Sequence, residues 1–502
     1  MGEHVTPRLY RGLRDYLPDQ MGARQRIIDT IRGVYENYGF APLGTPAIEY
    51  MDVLVGTGGQ EANTSIFGVK GPEDEKIGLR FDLTVPLARV VSQYPDLPRP
   101  FRRYQVSPVW RADKPDRGRY REFTQFDIDA VGVETDLADT EIMAAMADTL
   151  TALKVGPFRV RFSSRKILEL LLKFAEVPPV MRVKKRVGGG GGGSGGAASV
   201  ETVEDRPATD VFRVLDKLDK IGIERVRLEL TTGYKDDSGD FVPGLGLDMS
   251  QVRRIEEFLA IKGDSRQAVL DQLARTFAGV GGAEAEISVI RRISDTLGSL
   301  GYGDDRIAVD LSIARGLAYY TGPVFEAVLL DAPQFGSVFG GGRYDDLVLR
   351  FLGERVPATG ASIGVDRLLA ALVELKRIDL RPTTSQVLVA VFDQDLRSEY
   401  VSMAFELRRA GVPTELYLGS KAIGKQIKYA DQQRIPVVVL VGSDEHSRGV
   451  VVLKEMNEGR QKASEAASRS EWLRTRPGQL EVPRADLVPA TRQLLAMASS
   501  TA

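Results

Sequence analysis

The spacing of apolar residues changes several times along this chain, and each change predicts a different element. Over 20–38, Ile27, Ile28, Ile31, Val34 and Tyr35 recur at helical spacing, predicting an amphipathic helix. A turn and strand follow at 39–48, where Pro42 and Pro46 restrict the strand to an edge or terminus. Segment 52–67 reads as a polar loop or short helix. Segment 77–81 reads as a strand, with a helix beginning near Val85 that Asp82 or Thr84 is placed to cap. Two strand-like runs, 104–111 and 120–131, flank a loop with Pro115 and Gly118, which predicts a hairpin. Helical spacing returns at 136–153 and 166–174, around an alternating strand at 158–162.

The pattern then loses its apolar content. A basic cluster at 181–186 runs into Gly-Gly-Gly-Gly-Gly-Gly-Ser-Gly-Gly and a polar stretch to Ala208. Such a run buries too little apolar surface to pay for ordering, so 181–209 is expected to be a flexible insertion. Region 210–300 is mainly helical with a polar break at 231–246. Strand patterns return at 307–311, 323–330 and 337–339, and a helix is expected at 363–375. Beyond Pro382, strands and helices alternate regularly to Met456. This predicts a small α/β domain at 386–465 with a largely parallel sheet, followed by a polar, weakly helical tail at 466–502.

Composition narrows the chemistry. A length of 502 residues exceeds one ordinary core, so several domains are expected. Lys and Arg number 67 against 69 Asp and Glu, a balance that leaves nucleic-acid binding to local patches. With no cysteine, thiolate metal centres and a Cys nucleophile are excluded; with only His4 and His446, a histidine-built metal centre and a Ser-His-Asp triad are disfavoured. No metal-ligating set is assigned. The N-terminal segment has no apolar signal-peptide core and no run is long enough to span a membrane, so a cytoplasmic location is expected.

Within the predicted hairpin, Arg111, Lys114, Arg117, Arg119 and Arg121 crowd one loop. Period-2 alternation then puts Gln125, Asp127 and Asp129 on one face of the second strand, with Phe126 and Ile128 on the other. A cationic loop beside an acidic strand suits a ligand with a polyanionic end and an ammonium end. A solvated edge hairpin is the alternative. Three further segments bear on the choice: Arg-Gly-Leu-Ala-Tyr-Tyr-Thr-Gly at 315–322, Gly-Gly-Gly-Arg-Tyr-Asp at 340–345, and Thr-Gly-Ala-Ser-Ile-Gly-Val-Asp-Arg at 359–367. The triple glycine would let a ligand approach the backbone, although glycine runs alone are weak signals. Together with the hairpin these segments supply three separated arginines, Arg111, Arg315 and Arg367, the kind of cations a triphosphate and a developing phosphorane need.

These segments, in this order, resemble the histidyl branch of the class II aminoacyl-tRNA synthetases. The hairpin resembles motif 2 of that class, 359–369 resembles motif 3, and Pro46 sits as the motif 1 proline does. The 315–322 and 339–347 segments resemble stretches specific to the histidyl family. The resemblance implies an α+β catalytic core on an antiparallel sheet, formed by 1–180 and 301–380 around the helical insertion 210–300. It also implies a C-terminal α/β anticodon-binding domain and a homodimer. It implies L-histidine, ATP with Mg²⁺, and tRNA(His) as substrates and partners. For residues, it implies Arg111 and Arg315 as catalytic cations and Arg111, Asp113 and Arg367 as the ATP site. Asp82, Thr84, Arg111, Gln125, Asp129, Arg315, Tyr319 and Tyr320 would hold histidine. Asp113 and Ala318 depart from the family's usual Glu and Asp. The rival implied by the same core is the synthetase-like regulatory subunit of ATP phosphoribosyltransferase. That paralogue lacks the anticodon domain and generally lacks the catalytic arginine.

Overall fold

The computed structural model describes residues 4–55, 65–187, 200–313, 319–456 and 478–500. The chain divides into two compact units, one of Met1–Arg14 with Ile27–Ile378, the other of Asp15–Arg26 with Asp379–Ala502.

The first unit is built on an eight-stranded sheet. Its strands are β1 (Ala41–Pro42), β2 (Phe101–Trp110), β3 (Glu122–Val131), β4 (Phe158–Ser164), β5 (Ile307–Val309), β6 (Pro323–Leu329), β7 (Ser337–Arg343) and β8 (Ala358–Gly364). They lie in the order β1-β2-β3-β8-β7-β6-β4-β5, antiparallel throughout except for the parallel edge pairs β1–β2 and β4–β5. The predicted hairpin is therefore real, and its second strand sits inside the sheet rather than at an edge. Alternation does what the sequence requires. Phe126 and Ile128 are fully buried, Phe126 meeting the Tyr35 ring edge-to-face at 5.0 Å, while Asp127 and Asp129 are buried on the opposite face. Tyr35 comes from the long helix α1 (Pro18–Asn37), close to the predicted bounds. Helix α2 (Thr84–Gln93) begins beside the site, and α3 (Asp136–Ala152) packs against β8. Helix α4 (Val365–Glu374) continues directly from β8.

Three expectations for this unit are corrected. The segments flanking the glycine run are strands, Val180–Val187 paired antiparallel with Val200–Pro207, because eight residues on each side find ladder partners across the loop. The glycine run itself lies outside the described residues. The break at 231–246 within the helical region is likewise a small hairpin, Gly233–Lys235 with Phe241–Pro243. Finally, the triple glycine belongs to the sheet more than to a ligand. A Cβ on Gly341 would stand 2.1 Å from the Gly360 carbonyl oxygen and one on Gly342 2.8 Å from that of Pro323, whereas Gly340 faces space.

The second unit carries a five-stranded sheet of β9 (Val387–Val389), β10 (Thr414–Leu416), β11 (Val437–Leu440), β12 (Val450–Glu455) and β13 (Gln479–Pro483), ordered β10-β9-β11-β12-β13. Only β9–β10 and β9–β11 are parallel, so the sheet is mixed rather than largely parallel. The C-terminal segment is no weakly formed tail. It supplies β13 and helix α7 (Leu487–Ser500), which follows α5 (Arg397–Arg409) and α6 (Ile423–Gln432) in this unit. Leu487 of α7 is fully buried in the same core as Tyr400, Met403 and Val451. The polar composition around 466–477 hid a short apolar stripe that begins later.

Candidate functional site

Six of the residues expected to form a site meet in one cavity of about 250 Å³: Arg111, Asp113, Gln125, Tyr319, Tyr320 and Arg367. Arg111 and Asp113 follow β2, Gln125 lies on β3, Tyr319 and Tyr320 precede β6, and Arg367 is on α4. Arg111 follows β2, where its backbone N–H is held by the Arg121 carbonyl at 2.8 Å. Its Nε donates to the Phe81 carbonyl at 2.9 Å, and the guanidinium lies over the Phe123 ring at 5.2 Å. Among the described residues no carboxylate forms an ion pair with it. Arg367, in the first turn of α4, donates from Nη1 to the Ser337 carbonyl at 2.7 Å. Asp113 accepts from the Ser65 hydroxyl at 3.0 Å. The loop between them is anchored by Arg121, whose Nη1 donates to the Tyr10 hydroxyl at 3.2 Å and the Arg11 carbonyl at 3.3 Å. A loop this cationic keeps its shape because the N-terminal segment supplies acceptors for it.

Gln125 donates from Nε2 to the Ser362 hydroxyl at 2.7 Å. Among the described residues its buried Oε1 has no hydrogen-bond partner, which leaves an acceptor on a residue that lines the cavity. Tyr319 and Tyr320 stand side by side, ring centroids 4.5 Å apart and hydroxyls 3.3 Å apart. Burial pushes the Tyr320 phenol up to about 12, with Asp129, Asp127 and Asp82 adding to the rise. Both phenols therefore stay protonated at neutral pH and can donate as well as accept.

Asp82, Thr84 and Asp129 do not line that cavity; they form the structure next to it. Asp82 accepts the Val85 N–H at 3.1 Å, so the helix-capping reading is correct as far as that bond goes. Burial raises the Asp82 carboxyl to about 6, against the pull of the Val85 bond, Arg111 and Arg103. Thr84 opens α2. Asp129 is held on both oxygens: the Arg103 Nη2 lies 2.8 Å from Oδ2, and the Tyr344 hydroxyl donates to Oδ1. Arg315 and Ala318 lie outside the described residues.

Sequence reasoning missed Arg103, Tyr344 and Ser362. Arg103 was legible in principle, since hairpin register sets it directly across from Asp129. Arg343 is committed to Asp139 at 2.6 Å and to the Val133 and Thr135 carbonyls at 2.9 and 3.0 Å. Asp345 in turn accepts from Arg355 at 2.8 Å.

An antiparallel sheet with two arginines, a cationic hairpin and a strand-to-helix junction around one cavity, in a chain that also contains a mixed α/β domain, is the class II aminoacyl-tRNA synthetase fold. The Histidyl-tRNA synthetase family profile matches residues 12–183 and 210–368, and the profile of the anticodon binding domain matches 386–476. This chain belongs to the histidyl-tRNA synthetase family. Relatives named histidine–tRNA ligase include those of Cereibacter sphaeroides, 43% identical, and Paracoccus denitrificans, 42% identical, each alignment spanning 97% of both chains. A solved histidyl-tRNA synthetase from a Nostoc species superposes with a TM-score of 0.77 at 29% identity, covering 98% of this chain and all of that one. A Bacillus halodurans structure described as an ATP phosphoribosyltransferase regulatory subunit/histidyl-tRNA synthetase shares the fold, with a TM-score of 0.65 at 23% identity and 85% of this chain covered.

Proposed function

We propose that the cavity activates L-histidine with ATP and that the chain then charges tRNA(His). The observation that carries the site reading is the convergence of Arg111, Arg367, Gln125 and the tyrosine pair on one cavity. In the first step an oxygen of the histidine carboxylate attacks the α-phosphorus in line. The bond from that phosphorus to the β-bridging oxygen breaks, and pyrophosphate leaves with the electron pair. In the second, the terminal adenosine hydroxyl of the tRNA attacks the acyl carbon, loses its proton, and AMP leaves.

Arg111 would bridge the α-phosphate and the carboxylate, Arg367 would hold the γ-phosphate, and Asp113 would touch adenine. Asp82, Thr84 and the open Gln125 Oε1 would accept from the α-ammonium. Asp129, with Tyr319 and Tyr320, would read the two imidazole nitrogens, an acceptor and a hydroxyl complementing a ring that has one donor and one acceptor. A site built this way rejects isosteres lacking both nitrogens by roughly 10⁴ or more, because its buried polar groups would be left unpaired. Arg315 would be the second cation on the developing phosphorane; losing one preorganised cation costs around 10²–10³ in rate. Among the described residues no cluster of three metal-ligating side chains exists. Mg²⁺ would enter with the ATP triphosphate and supply further positive charge there.

The division into 1–180, 181–209, 210–300, 301–380, 386–465 and 466–502, a homodimer formed through the Pro46 region, and a cytoplasmic location belong to the same reading. The Pro46 segment is at least well fixed, since Arg80 donates to the Thr45 and Pro46 carbonyls at 2.6 and 3.1 Å.

The test is ATP–pyrophosphate exchange with each of the twenty amino acids. Exchange with histidine alone is expected, and Arg315→Ala should slow it by around 10²–10³. Retained histidine binding without exchange would move the assignment to the regulatory paralogue.

A further inference from the structure

Beside the cavity lies a buried charged cluster, two of whose members, Arg103 and Asp127, have no role in the steps above. Arg103 is the largest fully buried side chain of the described residues, and it sits among Asp127, Asp129 and Asp82, all at most 8% exposed. Burying three carboxylates with one guanidinium at their centre is costly. Burial raises the Asp127 carboxyl to about 7 despite the attraction of Arg103, and raises Asp129 as well. Well-packed apolar side chains would fill the same space at no such cost, so stability alone is a poor account of the cluster.

Its contacts suggest another. One nitrogen of Arg103, Nη2, lies 2.8 Å from Asp129 Oδ2 and 3.7 Å from Asp127 Oδ2, and donates to the Leu83 carbonyl at 3.1 Å. Leu83 is the peptide between Asp82 and Thr84. A single guanidinium thus touches the carboxylate assigned to the imidazole and the backbone between the two residues assigned to the α-ammonium. The remaining freedom of Asp129 is removed from other sides. The Tyr344 hydroxyl donates to its Oδ1, and at Gly360, its register partner on β8, a Cβ would stand 2.0 Å from that same oxygen.

We propose that Arg103, steadied by Asp127, is a positioning residue for histidine selection, fixing the spacing between the imidazole-reading and ammonium-reading halves of the amino-acid site. This rests on the assignment of Asp129 to the imidazole. Arg103 touches no substrate in this scheme. It acts through Asp129 and the Leu83 peptide, and has no contact with the residues assigned to ATP.

The test is histidine-dependent ATP–pyrophosphate exchange by Arg103→Lys, Asp127→Asn and Asp129→Asn, with KM measured separately for histidine and ATP and folding checked by thermal melting. A lysine keeps the charge, but its shorter side chain holds its nitrogen back from both anchors. Arg103→Lys should raise the histidine KM by about 10- to 100-fold, as a misplaced binding group does, with the ATP KM within about 3-fold of the parent. Asp127→Asn, isosteric and free of any new steric demand, should raise the histidine KM by about 3- to 10-fold with the same selectivity, and decides the matter if Arg103→Lys does not fold. Unchanged histidine KM in a folded Arg103→Lys, or histidine and ATP KM rising together, overturns the positioning role. The Asp129→Asn control separates the two levels. If it raises the histidine KM while the Arg103 and Asp127 variants do not, only the positioning role fails. If Asp129→Asn itself leaves the histidine KM unchanged, the imidazole assignment fails and the positioning role falls with it.

Discussion

Asp82 shows what burying a carboxylate costs the fold. Its folded pKa of about 6 lies above the usual carboxylate value because burial outweighs the favourable contacts around it. The folded protein therefore holds a proton that the unfolded chain has lost between about pH 4 and 6. Stability must fall as pH rises through that window and level off above it, by an amount on the order of 3 kcal/mol for about two pH units. Asp82→Asn keeps the acceptor for the Val85 N–H and removes the charge. It is expected to raise the melting temperature at pH 8, with the gain shrinking toward pH 4, while histidine-dependent exchange is lost or strongly reduced. Equal melting temperatures of parent and variant at pH 8 would show that the buried charge costs the fold nothing. The same scale explains what was legible in the sequence. Gln125, Asp127 and Asp129 alternate visibly, but nothing local announces that the partner of Asp129 is Arg103, because that pairing depends on hairpin register and on burial.

Elements were legible where period and length agreed. The strands at 101–131 and the helices at 136–152 and 165–174 carry unbroken periodicity, and their bounds moved by only a few residues. The flanks of the glycine run were misread because their strands are polar and exist through cross-strand pairing, which composition does not report. The adjacent glycines of β7 give a direct test of sheet against ligand. Gly341→Ala pushes a methyl into the Gly360 carbonyl and should cost more than about 3 kcal/mol, the scale of overpacking against backbone that cannot yield, seen as insoluble or low-melting protein. Gly340→Ala has no neighbour nearer than 3.7 Å and should melt within a few degrees of the parent, while its methyl narrows the cavity and weakens ligand binding. In the second unit, Leu487→Ala removes a fully buried side chain of α7 and should cost about 2–5 kcal/mol of that unit's stability. Charging of tRNA would suffer while histidine-dependent exchange, assigned to the other unit, persists; equal loss of both would argue against that separation.

For the molecule as a whole, a formal net charge of −2 gives no general attraction to a polyanion. Binding to tRNA must then come from local cations, and Lys421, Lys425 and Lys428 are exposed on or beside α6 in the second unit. If all three meet phosphates, their joint replacement by Ala lowers the slope of log affinity against log salt by about 2–3 and weakens binding across salt concentrations. An unaltered slope would leave them as a solvated helix face.

The order of the strands has a consequence in time. β3 and β8 are neighbours in the sheet, yet 364 − 131 = 233 positions separate the end of one from the end of the other. At ~5–20 residues per second of synthesis, the hairpin that carries Asp127 and Asp129 waits roughly 10–50 s on the ribosome for the strand that covers it. Through that interval the open edge of β3 and its acidic face remain in water, where the charges that later become expensive cost little. The pocket is thus closed late, by a strand from near the end of the first unit. A nascent chain released before residue 358 would lack Ser362, Gly364 and Arg367, which complete the cavity lining.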